Sequence, residues 1–360
     1  MNDHYIPQEY GSLKPRTVSD VIVSLQRSIS QRLIAPLYVP KDDYKTEGVF
    51  FAVESMKRHT SDEGWQIAEG LESNGYTLAG HNLEIPSTNI GEVICNLDPE
   101  VVVLQDKREW DVQPGNFREP NARFHQVIHL LGEISRFKLT VLKDAHQQPE
   151  YHRQSAYEMG CHAWLSYYHP RIVSHLAPYV RPHHLIRVYH TLDRYKVPAY
   201  TPGKYGTLIS GAISGAYPLR QRIIKASIPG VVYQKHPGYH RNGCETPEFL
   251  KKLNYFKVVI CTSSMYGYAL RKLIEASACG CRVITDLPSD EFLPFVDKNL
   301  VRVHPEIKIG ELQELIKELE ATYDPSFQEV VADEVTGYYD FRQQGNRTAR
   351  DIHELQHQYV

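Results

Sequence analysis

The stretch "KVVICTSSMYGYALRKLIEASACGCRVITDLP" (257–288) limits the possible folds more than any other part of the chain. It opens on an apolar run, Val258–Cys261, passes into a helical pattern from Tyr268 to Cys279, and after Gly280 enters a second apolar run. A strand with one wet face alternates apolar and polar residues. These runs do not alternate, so both of their faces must be covered. Two covered strands joined through a helix form a parallel pair, since a tight hairpin joins only antiparallel strands. Gly280 suits the abrupt turn from helix to strand.

The same alternation fills most of the chain. Strands are expected in "GVFFAVES" (48–55), "DPEVVVLQD" (98–106), "KLTVLKDAH" (138–146), "HAWLSYYHP" and "LIRVYHTLD". Helices are expected from Glu63 to Ser73, ended by Asn74-Gly75, and in "NARFHQVIHLLGEIS" and "RIVSHLAPYV". The pattern restarts near 204. Strands "YGTLISGA", "GVVYQKHP", "KVVICTSS" and "CRVITDLP" are separated by helices "LRQRIIKAS", "ETPEFLKKLNYF" and "YALRKLIEASACG", and the helix "IGELQELIKELEATY" follows. The join lies in "RYKVPAYTPGK" (194–204), which holds two prolines and a glycine. The expected fold class is α/β, with two Rossmann-like doubly wound domains, 46–200 and 201–330, facing across a cleft. Residues 1–45 read as an extension containing a helix in "VSDVIVSLQRSISQRL", capped by Ser19 or Asp20. Ligands of such folds bind at the carboxyl edges of the strands, so the segments at those edges are the ones to inspect.

The bulk properties narrow the function. A length of 360 residues suits two domains, and 42% hydrophobic with 23% charged residues suits a large core. A net charge of -3 supplies no global field for nucleic acid or acidic membrane. No apolar run approaches the ~20 residues of a membrane helix, and the first residues lack the apolar core of a signal peptide, so the expected location is cytoplasmic. The six cysteines form no Cys-x-x-Cys pair and read as reduced, buried thiols.

At the start of the 271–279 helix, Arg271 and Lys272 stand where the macrodipole already favours anions. Two cations there suit an anionic ligand, and a helix start with a cation is a phosphate site. Glu275 follows one turn later and could accept hydrogen bonds from a ribose diol. The alternative is an ordinary ion pair on a packed helix.

"KLIEASACGCRVITD" resembles the signature of retaining GT-B glycosyltransferases of the family 4 type, and "Y-G-Y-x-x-x-K-x-x-E" is closest in pattern to the spore-coat-type subgroup. The resemblance is specific over about 200–300 and implies that Glu275 holds the ribose of a nucleotide sugar, with Tyr268 and Lys272 on the donor side. The second acidic residue of that family would fall on Gly267, a departure. The resemblance further implies that a basic residue of "SGAISGAYPLRQRI" (210–223), Arg220 first and Arg222 second, meets the diphosphate. It implies that His146 of "LKDAHQQPEYHR" (142–153) lies near the donor sugar with Asp144 beside it. It implies that Gly64 reaches the acceptor side, and that residues 331–360 return as a helix to the first domain. His236 of "QKHPGYHR" (234–241) could pack against the base, while Pro237 and Gly238 rule out a helical zinc pair with His240. Asp106 and Arg108 of "LQDKREWD" (104–111) could line the acceptor site. For each segment the plainer alternative is a capping or solvated loop.

The expected activity is glycosyl transfer from a UDP- or GDP-sugar with retention, with no cofactor and no metal, since the chain contains no Asp-x-Asp. Alternatives are a nucleotide-sugar epimerase of GT-B fold and a non-catalytic nucleotide-sugar-binding protein. The acceptor class is a glycan, lipid or small molecule. A nucleic acid acceptor, such as the modified DNA base of phage-type glucosyltransferases, is suggested only by the cation–aromatic interleaving of "YVRPHHLIRVYHTLDRYK" (179–196).

Overall fold

A computed structural model describes residues 48–53, 63–81, 90–105, 128–147, 149–235 and 246–359. The extension with Ser19 and Asp20, and the segments holding Asp106, Arg108, His236 and His240, lie outside the described residues.

The first sheet has six strands: β1 (Gly48–Val53), β2 (Tyr76–His81), β3 (Val101–Leu104), β4 (Phe137–Leu142), β5 (Ala163–Ser166) and β6 (Leu185–Arg187), in the order β2-β1-β3-β4-β5-β6. The second has five: β7 (Tyr205–Gly211), β8 (Val231–Lys235), β9 (Phe256–Ile260), β10 (Arg282–Thr285) and β11 (Leu300–Arg302), in the order β11-β10-β9-β7-β8. Every neighbouring pair is parallel.

The unbroken apolar runs have the cause inferred from the sequence. Val101 and Val103 enter one core of the first sheet, and Val102 and Leu104 enter the other. In the second sheet Leu208, Val259 and Val283 face one core while Ile209, Val258, Ile260 and Ile284 face the other. Burying each such side chain is worth roughly 1.5–3 kcal/mol, which favours apolar residues on both faces of these strands. The edge strand β8 is only partly buried.

Five strands and α-helices were not anticipated: β2, β11, and the helices Ile90–Leu97, Pro149–Met159 and Pro325–Tyr338. The last runs across the expected boundary at 330. The chain then passes beside the earlier crossing. Leu192 donates its N–H to the Tyr339 carbonyl (3.0 Å) and accepts at its own carbonyl from the Phe341 N–H (3.0 Å). Asp340 caps the final helix, Phe341–Gln356, by accepting from the Arg342 N–H. That helix lies on the first-domain helix Glu63–Glu72, with Gly70 and Gly345 back to back.

The cysteines differ in part from expectation. Cys261, Cys279 and Cys281 are buried free thiols, but Cys95 is exposed. Burial pushes the Cys261 and Cys281 thiols up to about 12, so they are inert. Among the described residues no helix is long and apolar enough to cross a membrane.

Candidate functional site

β7 lies between β8 and β9, so successive connections leave it in opposite directions and open a crevice at the carboxyl ends of β7 and β9. Gly211 ends β7, and Thr262 follows β9. Arg220, in the Pro218–Ala226 helix, spans the crevice. Its Nε donates to Thr262 Oγ1 (3.1 Å), its Nη1 donates to the Ala212 carbonyl (3.2 Å), and its guanidinium lies 3.9 Å from the Tyr217 ring centroid. Lys272 enters from the Arg271–Ala278 helix and donates from Nζ to the Ser210 carbonyl (3.1 Å). Gly211 separates the two cations from the backbone. Its φ is +128°, and a Cβ there would stand 2.9 Å from both Arg220 Cζ and Lys272 Nζ. Glycine is thus needed both for the backbone angle and for the space.

The electrostatics of this corner are unusual. Arg220 is 3% exposed, Lys272 is partly accessible, and neither forms an ion pair among the described residues. Their partners are a hydroxyl and backbone carbonyls. Burial, and after it the charge of Arg220, depresses the Lys272 ammonium from its ordinary 10.5 to about 8. Burial likewise lowers Arg220. Two close, poorly solvated cations whose hydrogen-bond partners are all neutral, with Asp286 and Glu275 acting only at longer range, leave a positive potential that an anion would relieve. The neighbouring Arg271–Ala278 helix has no side-chain cap at its start, so its first N–H groups add to that potential.

The two cations that open the helix separate in role. Arg271, not Lys272, is the ion-pair partner of Glu275, with Nε and Oε1 3.1 Å apart and both side chains buried. The alternative reading of an ion pair on a packed helix therefore holds for Arg271, and Lys272 is left to the crevice. Gly267 has φ +73°, and a Cβ there would meet Pro288 Cγ at 3.0 Å. The departure at this position is therefore a backbone requirement that an acidic residue would strain.

On the first-domain side, His146 and Asp144 follow β4 as anticipated. His146 Nδ1 lies 2.8 Å from the Tyr268 hydroxyl, and its ring stacks on Tyr266 at 4.2 Å. Asp144 accepts from the Tyr168 hydroxyl (2.5 Å) at φ +48°. The carboxyl edges of the two sheets also meet through ion pairs of Arg171 with Asp290 (2.7 Å) and of Arg187 with the buried Glu291.

Other anticipated residues lie elsewhere. Arg222, two residues from Arg220 and so on another face of its helix, donates to the Pro305 (2.6 Å) and Ile307 (2.5 Å) carbonyls. The structure does not bring it to the crevice. Tyr268 is 2% exposed and packed with the first-domain core rather than open to a ligand. Gly64 is buried in the first turn of the Glu63–Glu72 helix. The cation–aromatic stretch 179–196 is largely consumed by packing. Arg187 pairs with Glu291, and buried His190 stacks on Tyr167 at 4.5 Å while its Nε2 meets the Ala269 carbonyl at 3.0 Å. The residues that sequence reasoning missed are Thr262 and Tyr168, which carry no local motif, and Tyr266, which opens the quoted Y-G-Y motif but was given no role. Gly211 was visible as the small residue ending a strand, but its tie to two cations was not.

Comparison with solved structures places this geometry in a known fold. Anabaena HepE in complex with UDP-glucose superposes with a TM-score of 0.55 at 9% identity, covering 85% of this chain and 99% of that one. A glycosyltransferase from Rickettsia africae gives 0.54 at 10% identity, covering 86% and 98%. The lipopolysaccharide outer core galactosyltransferase WaaB gives 0.53 at 9% identity, covering 87% and 99%. The fold is GT-B. No protein-family model and no curated protein matches the chain.

Proposed function

We propose that this GT-B chain is a glycosyltransferase of the retaining, family 4-like kind that moves a sugar from a UDP- or GDP-sugar to an acceptor hydroxyl. The observation that carries the reading is the pair of buried Arg220 and partly accessible Lys272, set beside Gly211 at the switch point of the second sheet without an ion-pair partner among the described residues. A diphosphate supplies the charge this corner lacks. The bond from the sugar's anomeric carbon to the diphosphate oxygen breaks with its electron pair on the departing diphosphate, whose growing charge the two cations and the helix N–H groups stabilise, while the acceptor oxygen bonds to the anomeric carbon and its proton passes to the departing diphosphate. Glu275, held by Arg271, accepts from the ribose hydroxyls, and His146 meets the sugar from the first domain. The acceptor, a glycan, lipid or small molecule, enters from the first-domain strand edge. HepE bound to UDP-glucose and UDP supports the donor class by analogy.

The test is incubation of the full chain with a panel of UDP- and GDP-sugars in EDTA, followed by chromatography of the nucleotides. Release of nucleoside diphosphate from one donor, undiminished by the chelator, is expected. Isomerisation of the donor without release would instead mark an epimerase, and binding with neither outcome would mark a binding protein. Loss of activity in EDTA, restored by manganese or magnesium, would contradict the assignment of the diphosphate charge to side chains alone.

A further inference from the structure

We propose that Tyr268 is a positioning residue whose hydroxyl, reaching across the domain interface, sets the orientation and tautomer of His146. The proposal rests on the reading of His146 as the group that meets the donor sugar.

Tyr268 belongs to the second-domain segment between β9 and the Arg271–Ala278 helix, yet its ring packs with the first-domain core. It lies 3.8 Å from the Tyr168 ring at an interplanar angle of 15°, so its own rotation is blocked. The hydroxyl that this stack aims stands 2.8 Å from His146 Nδ1. Tyr266, two residues earlier, covers a face of the same imidazole at 4.2 Å and 27°. Gly267 makes the double contact possible. Its φ of +73° turns the chain so that both flanking tyrosines reach one ring. The position where the resembled family carries an acid is here the pivot of an aromatic clamp.

The turn beneath His146 is also held. Asp144 adopts φ +48°, its carboxylate accepts from the Tyr168 hydroxyl (2.5 Å), and its carbonyl accepts from the Gln147 N–H (2.7 Å). Tyr168 therefore supports both the turn that carries His146 and the tyrosine that orients it.

The direction of the bond follows from acidity. A phenol is a better proton donor than a neutral imidazole N–H, and an imidazole nitrogen is a better acceptor than a phenol oxygen. Tyr268 donates to Nδ1, so the imidazole proton resides on Nε2 and that nitrogen acts as a hydrogen-bond donor rather than a base. His146 and Tyr168 come from one domain, and Tyr266 and Tyr268 come from the other. The oriented ring exists only where the two domains meet in this arrangement, which ties sugar contact to domain position.

The test uses the full chain with 15N-labelled histidine. The His146 resonance is assigned by its disappearance in His146→Gln, and the tautomer is read from two-bond 1H–15N spectra. Native protein is expected to show His146 as the Nε2–H form alone. Tyr268→Phe keeps the stack on Tyr168 and removes only the hydroxyl. It is expected to give a mixture of tautomers and to lower donor turnover about tenfold, the scale of one hydrogen bond, at unchanged donor KM. A native spectrum of the Nδ1–H form or of a mixture overturns the proposal, even if the variant fails to fold. So does a Tyr268→Phe spectrum identical to the native one, or turnover within twofold of native. If native protein consumes no nucleotide sugar, the functional reading fails, and the spectra still decide the role of Tyr268.

Discussion

Lys272→Met is expected to make the ligand-free protein more stable and to abolish most of its affinity for nucleoside diphosphates. The native ammonium is buried beside Arg220 with carbonyl partners only, a costly arrangement in the absence of an anion. Replacing an inadequately compensated buried charge with an apolar side chain of similar length typically gains about 1–3 kcal/mol. The same change deletes a charge-assisted contact worth about 1.5–3 kcal/mol to the diphosphate, a loss of at least tenfold in affinity. An ordinary structural lysine would behave oppositely, losing stability on replacement and leaving binding untouched. The pH dependence has a defined sign. Below about 8 the lysine is protonated in both folded and unfolded chains, and the penalty is fully present. Between about 8 and the ordinary 10.5 the folded protein gives up the proton first, so the unfolded state binds more protons and stability rises with pH. Subtracting the urea stability of Lys272→Met from that of native protein across this window isolates the effect from the buried thiols. A flat difference would place the ammonium in an ordinary solvated site.

Gly345→Ala is expected to destabilise the protein by about 3 kcal/mol or more, the upper range of overpacking costs. On helix propensity alone the substitution should stabilise by up to about 1 kcal/mol. The contact reverses the sign. A Cβ at Gly345 would overlap the Gly70 Cα and carbonyl, which are backbone atoms of a second helix and cannot rotate away. Gly337 is the control, since it is helical and a Cβ there meets nothing within 4 Å. Gly337→Ala should be neutral or mildly stabilising. Denaturant midpoints of the two variants measure the contrast. Equal shifts would mean that the final helix does not rest on the Glu63–Glu72 helix at this point.

The central strands were legible because burial on both faces leaves an unbroken apolar run, as in Val101–Leu104 and Val258–Ile260. The unanticipated elements lack that mark. The Pro149–Met159 helix buries His152, Ala156 and Met159, a spacing in which two of three residues are not strongly apolar. β2, "YTLAGH", carries a glycine and a threonine among its six residues. The Pro325–Tyr338 helix did leave a readable signal. Asp324 precedes Pro325 as a cap, and the buried Gln328, Val331, Ala332 and Val335 fall on one face. At the site, sequence spacing identified the segments but not the partners. Arg271 and Lys272 are both within reach of Glu275 on an ideal helix, and only the packed structure assigns the ion pair to Arg271. Arg220 and Arg222 differ by two residues, so the rotation of one helix decides which meets the crevice and which meets the 305–307 carbonyls. The pairing of His146 with Tyr268 spans 122 positions, a distance over which no local pattern carries information.

The central claim, that Arg220 and Lys272 hold a diphosphate, is tested most directly by titration calorimetry of native protein with UDP, GDP, uridine and guanosine. One of the two nucleoside diphosphates is expected to bind at least about a hundredfold more tightly than its own nucleoside, the effect of two charge-assisted contacts of about 1.5–3 kcal/mol each, and this advantage should shrink as salt is raised. Equal affinity for nucleoside and diphosphate, or no binding by any of the four, would contradict the account.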